Sequence, residues 1–133
     1  MATVLIVEDN TANMTLAVFL LQSAGHTVLT ATDAEAGLTL AREQQPDLIL
    51  MDIQLPGMDG LEATALLKRD DATRAIPVIA LTALAMKGDE ERIRAAGCDG
   101  YIAKPLAYQE FLAIISAQLV ASPVGGREPQ ARR

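Results

Sequence analysis

The chain has 133 residues, half of them hydrophobic, 21% charged and 3% aromatic, with a net charge of −6. That length suits one domain with a packed aliphatic core. The acidic balance and the lack of an aromatic-rich basic stretch speak against nucleic acid as a partner, no apolar run is long enough to cross a membrane, and no basic-then-apolar leader opens the chain, so a cytoplasmic location is expected; a single cysteine, Cys98, excludes an intrachain disulfide and a multi-cysteine metal site.

Residues 3–7 (TVLIV) read as a buried strand. Residues 11–24 read as a helix with Met14, Ala17, Leu21 and Ala24 on one face, ended by Gly25 as a left-handed cap, with His26 in the turn beside it. A second, weaker strand is expected over 28–31 and a helix over 33–44, with a stripe of Ala34, Leu38 and Ala41. Pro46 precedes a strand over 48–51 (LILM). Pro56-Gly57 reads as a tight turn, and Asp59 with Glu62 matches a capping pattern for a helix over 59–69. Pro77 precedes a strand over 78–81. A helix over 87–96 follows, closed by Gly97; its one large apolar residue is Ile93, and Glu90 and Arg94 are spaced for an i,i+4 pair. Cys98 reads as a small buried hydrophobe and Met51, Met58 and Met86 as core or loop fillers. The last strand covers 101–103 and the last helix 108–120, with Tyr108, Phe111, Leu112, Ile115 and Leu119 as its core stripe. From residue 122 the composition turns to Ser, Pro, Gly, Arg and Gln, so the expected division is a domain over 1–121 and a disordered tail over 122–133.

Five strands alternating with five helices imply an α/β fold, a doubly wound (βα)5 parallel sheet of the flavodoxin-like kind, strand order 2-1-3-4-5. The strand ends are chemically unusual. The first ends in Glu8-Asp9, the third in Asp52, the fourth in Thr82 and the fifth in Lys104. Ligands in open parallel sheets bind outside the carboxyl ends, where strand order reverses. With that order Glu8, Asp9 and Asp52 crowd one pocket, with Thr82 and Lys104 across it. Three adjacent carboxylates need a cation, and a hard divalent ion such as Mg²⁺ suits oxygen ligands. A carboxylate nucleophile, a divalent ion, a lysine and a hydroxyl together suggest phosphoryl transfer to an aspartate. Taken singly, Asp52 reads as a cap or turn residue, Glu8-Asp9 as an acidic pair at a helix start and Lys104 as a surface lysine. Their joint placement at strand ends selects the functional reading.

The segments LIVEDN, LILMDIQLPGMDG, IPVIALTA and YIAKP resemble the receiver domain of two-component response regulators, with Thr82 30 residues and Lys104 52 residues after Asp52. The stretch TALAMKGDEERIRAAGC is similar to small single-domain receivers of the DivK type. The resemblance implies that Asp52 is the phosphoacceptor. It implies that Asp9 and Asp52 bind Mg²⁺, with Mn²⁺ as a substitute, that Glu8 acts through a water and that the backbone carbonyl of Gln54 completes the set. Lys104 would pair with Asp52 and then with its phosphoryl group, Thr82 would hydrogen-bond a phosphoryl oxygen with Tyr101 swinging inward behind it, and the small Ala83 would lie beside the phosphoryl group. A cis Lys104-Pro105 peptide would aim the lysine. Gln54 and Leu84 hold the positions that tune dephosphorylation, and apolar Leu84 would favour a long-lived phosphoryl state. The acidic pair is Glu-Asp where the family has Asp-Asp.

The implied phosphodonor is a histidine kinase or histidine phosphotransfer protein, docking on Ala12, Asn13 and Leu16 of the first helix. A downstream regulatory protein would be read by a face including Ile114; monomer and weak dimer both stay open. The alternatives are a receiver cut from a longer regulator or hybrid histidine kinase, and a receiver-like binding module that is never phosphorylated, against which the intact Asp52, Thr82 and Lys104 set speaks. A haloacid-dehalogenase-type phosphatase needs a second acid where Gln54 stands, and a flavin carrier needs a Gly/Thr-rich phosphate loop after the first strand, which is lacking.

Overall fold

Five short aliphatic runs pair as one parallel sheet because each is followed by a helix that returns the chain across a face. The computed structural model describes residues 2–83, 87–104 and 106–121. Leu84, Met86, Pro105 and the segment 122–133 lie outside the described residues, and with them the expectations about dephosphorylation, a loop methionine, a cis peptide and a disordered tail. The elements are β1 (Thr3–Val7), α1 (Thr11–Ser23), β2 (Thr27–Ala31), α2 (Ala34–Gln44), β3 (Leu48–Asp52), α3 (Gly60–Arg69), β4 (Val78–Thr82), α4 (Lys87–Ala95), β5 (Gly100–Ala103) and α5 (Tyr108–Ala121). The strand order is β2-β1-β3-β4-β5, all parallel. This is the topology expected from the sequence, with strand bounds shifted by one residue at most.

Alternation along the buried strands divides the core into two layers. Leu5, Val7, Ile49, Met51, Val78 and Ala80 pack against Ala34 and Ala41 of α2, Ala63 and Leu67 of α3 and Ile93 of α4. Val4, Ile6, Leu48, Leu50, Ile79, Leu81 and Ile102 pack against Ala17, Leu20 and Leu21 of α1 and Phe111 and Ile115 of α5.

The helix stripes need two corrections, at Ala24 and Tyr108. In α1 the buried set is Ala17, Leu20 and Leu21, while Ala24 is exposed at the C-cap. In α2 Leu38 packs half-buried against the core as its stripe implies, and Gly37 is buried beside it, where the helix lies too close to Val7 for a larger side chain. In α5, Tyr108 is 55% exposed at the first turn. Ile114, expected on an outer face, is half-buried and packs against the α1–α5 layer. Helix α5 has α1 as a neighbour as well as the sheet, which widens its covered face.

Helix ends follow the local chemistry. Asn10, Asp33 and Asp59 accept from backbone N–H groups three residues on, and Asp59 with Glu62 closes a reciprocal capping box. Gly25 and Gly97 adopt φ of +91° and +104° after α1 and α4. Gln45 takes the same left-handed turn after α2 without being glycine; its amide donates to the carbonyls of Ala41, Arg42 and Ala72, which compensates the strain. The N-terminal edge of the sheet is fastened by side chains. Asp47 accepts from Thr3 N–H at 2.9 Å, and Asp99 accepts from Val78 N–H at 2.8 Å and from Lys68 at 3.1 Å.

Candidate functional site

Strand order reverses between β1 and β3, and the register carries both strands to the same rim. Val7 lies opposite Met51, so Glu8 and Asp52, one residue further on, leave the sheet side by side. Carboxylate oxygens of Glu8, Asp9 and Asp52 lie within 4.8 Å of one another. Glu8 and Asp52 are buried, at 1% and 3% exposure, while Asp9 is exposed. Lys104, reaching in from the end of β5, places Nζ 3.1 Å from Asp52 Oδ2 and 3.0 Å from Glu8 Oε1.

Three of the four oxygens of the buried pair have a placed partner. Asp52 Oδ1 accepts from Gln54 N–H at 2.9 Å, so the turn after β3 orients the carboxylate. Glu8 Oε2 accepts from Asn10 N–H at 3.2 Å, so the residue that caps α1 also holds the first acid. Glu8 Oε1 lies within reach of the Lys104 ammonium but makes no aligned hydrogen bond. Burial, and then a hydrogen bond shared with Asp52, raises the Glu8 carboxyl above its ordinary value against the opposing pull of Lys104. Burial alone would lower the Lys104 ammonium; Glu8 and Asp52 more than offset it and hold that group above its ordinary value.

The donor set fits a hard divalent cation. Three carboxylates converge, two of them buried, one buried oxygen lacks an aligned partner, and a single ammonium cannot neutralise the group. Thr82 is buried at the end of β4, opposite Ala103 in the register, and Lys104 N–H donates to its carbonyl at 2.8 Å. Gln54 and Ala83 are exposed at the rim. Tyr101 is half-buried on β5, and its hydroxyl donates to Glu90 Oε2 of α4 at 2.5 Å. Glu90 therefore bonds across to β5, where the sequence spacing pointed to Arg94. Ala12 and Leu16 are exposed on α1 and Asn13 is half-buried beside the rim. Ile114, on α5, is not part of this rim.

Sequence reasoning missed three contributors. Lys104 contacts Glu8 as well as Asp52. Asn10 carries a cap signal just after the acids. Gly60 opens α3 so close to β3 that a Cβ there would lie 2.2 Å from the Asp52 carbonyl oxygen. Phe19, 65% exposed one turn beyond Leu16, extends the apolar patch on α1. A groove of about 650 Å³ between α2 and α3, lined by Leu38, Arg42, Leu66 and Asp70 among others, contains none of the rim residues.

Residues 4–116 match the family model described as the response regulator receiver domain. The chain is 53% identical over 116 residues to the polar-differentiation response regulator DivK of Brucella anthropi, a match covering 87% of this chain and 94% of that protein. The receiver domain of sensor histidine kinase PA1611 from Pseudomonas aeruginosa PAO1, solved with a magnesium ion coordinated in the active site cleft, is similar with a TM-score of 0.82 and 38% identity over 87% of this chain and 95% of that one. The chemotaxis protein CheY4 of Vibrio cholerae superimposes with a TM-score of 0.84 at 27% identity, over 88% and 98%. No helix among the described residues is long and apolar enough to cross a membrane.

Proposed function

The chain belongs to the response regulator receiver-domain family, and from that footing we propose that Asp52 accepts a phosphoryl group from a phosphohistidine on a histidine kinase or phosphotransfer protein. The observation that carries this is Asp52 itself, buried at the strand-order reversal with one oxygen on Gln54 N–H, the other beside Lys104, and two further carboxylates within 4.8 Å. In the transfer the donor's N–P bond breaks, an Oδ–P bond forms on Asp52, and the donor histidine departs as an imidazole.

Asp9, Asp52 and the Gln54 carbonyl would hold Mg²⁺, or Mn²⁺ in its place, with Glu8 acting through a water. When bound, the ion supplies positive charge to phosphoryl oxygens as bonds change. Lys104 draws the transferred group's charge once Asp52 is esterified, since one of its two carboxylate partners has then lost its charge. Thr82 donates to a phosphoryl oxygen, and Tyr101 moves inward behind it. Charge-assisted hydrogen bonds contribute roughly 1.5–3 kcal/mol each. Two or three of them reach the ~5.5 kcal/mol that moves a two-state equilibrium from 1:99 to 99:1.

The docking face for the donor is the start of α1, Ala12, Asn13 and Leu16, which Phe19 extends. A downstream regulatory protein reads the switched state. Kinase partners of this kind place the protein in the cytoplasm. The test is incubation with phosphoramidate and Mg²⁺, followed by intact mass and peptide mapping. One phosphoryl group on Asp52, absent from Asp52→Asn and absent with chelator, is the expected result; labelling that survives either change overturns the proposal.

A further inference from the structure

Helix α4 is weakly attached. Among its described side chains Ile93 is the one in the core, and the 2.5 Å bond from Tyr101 to Glu90 ties its first turn to β5. The neighbouring acid, Asp89, is engaged within the helix by Arg92 at 3.2 Å. A cavity of about 40 Å³, lined by Glu90, Ile93, Arg94, Cys98, Gly100 and Tyr101 among others, flanks the bond. It has room for a water but not for the phenol ring, so the ring does not retreat into it.

We propose that Glu90 is a positioning residue for phosphoryl loading of Asp52: its carboxylate holds Tyr101 against α4 and keeps it from moving behind Thr82 until the acceptor is phosphorylated. The inference rests on the acceptor and switch roles assigned above. Its argument is linkage. A bond made in the unphosphorylated arrangement and lost in the phosphorylated one opposes loading by its own equilibrium factor, and its removal favours loading by the same factor. The short bond also holds the phenol above its ordinary titration range, with burial and the Glu90 charge as lesser causes and Arg94 opposing.

The test uses the full chain with phosphoramidate and Mg²⁺, reading the phosphorylated fraction by intact mass as donor is varied. Glu90→Ala should reach half-loading at about tenfold less donor than the parent, in line with one strong hydrogen bond. Glu90→Gln, which keeps shape and a neutral acceptor, should show a smaller shift and serves if the alanine variant folds poorly. In a Tyr101→Phe background, Glu90→Ala should change loading no further. An ultraviolet titration adds a second readout: in either Glu90 variant one phenol should ionise at lower pH than in the parent, and that transition should be absent from the Tyr101→Phe background. Loading of Glu90→Ala indistinguishable from the parent overturns the inference, as does an equal shift in the Tyr101→Phe background. A parent that takes no phosphoryl group overturns the acceptor reading and this inference together, whereas a normally loaded parent with unmoved Glu90 variants overturns this one alone.

Discussion

Gly60 stands against the backbone of Asp52: a Cβ at position 60 would lie 2.2 Å from the Asp52 carbonyl oxygen and 2.7 Å from Ile53 Cα. Both contacts are backbone, so neither yields by a rotamer change. Gly60→Ala should displace the end of β3, cost about 1–3 kcal/mol of stability and weaken Mg²⁺ binding about tenfold. Urea unfolding and a magnesium titration check both numbers, and unaltered Mg²⁺ affinity would show that the acceptor strand is not set from α3.

Lys104 is the described cation touching the buried acids. Lys104→Met leaves Glu8 and Asp52 without it. Breaking a buried ion pair costs about 3–5 kcal/mol; at a rim where Glu8 can take up a proton, about 2–3 kcal/mol is expected. Millimolar Mg²⁺ should restore most of that loss, since the ion supplies the missing positive charge. Melting curves with and without Mg²⁺ decide the matter, and equal destabilisation in both would place the role of Lys104 outside the acidic cluster.

The raised Glu8 carboxyl gives a pH dependence of definite sign. Its folded-state value lies above the ordinary 4.5, so the native state binds the proton more tightly. Its contribution to stability is complete below the ordinary value and is lost as pH rises through the raised one. Metal binding runs the other way: Mg²⁺ affinity should rise over the same window as the proton leaves. Glu8→Gln should therefore be more stable than the parent without metal near neutral pH, yet bind Mg²⁺ more weakly. Paired melts and calorimetric titrations across that window check both, and a Glu8→Gln melt below the parent at neutral pH would contradict the assignment.

Amide hydrogen exchange should find α4 the least protected of the five helices, because its described core contribution is Ile93 and its side-chain tie to β5 is one hydrogen bond. Phosphorylation should change exchange in α4 and around Tyr101 more than in α1 or α2. Slow, uniform exchange in α4 would count against a moving output element.

Strand identity and order were readable in the sequence because TVLIV, LILM and VIAL are buried on both faces and helical segments separate them. The acidic cluster was readable because strand ends in an open parallel sheet converge, whatever the loops do. What escaped depends on distances that no local pattern encodes. Gly37 joins Leu38 in the α2 contact because α2 runs close to Val7. Ile114 is half-buried against the layer that α1 and α5 cover. Glu90 pairs with Tyr101 because the phenol reaches α4 from the next strand, and that nonlocal hydrogen bond displaces the local i,i+4 pairing with Arg94.

The ladder between β1 and β3, pairing Val7 with Met51, does more than join two strands. A strand advances about 3.3 Å per residue, whereas an oxygen holds Mg²⁺ at about 2.0–2.1 Å. Sliding β3 by one position would carry the third carboxylate beyond any shared ion and turn Ile49 and Met51 toward the wrong layer. Aliphatic side chains that never meet the phosphoryl group thus act as the vernier of the chemistry, and a mutation that loosens their pairing would misplace the reactive oxygens while every rim residue stayed the same.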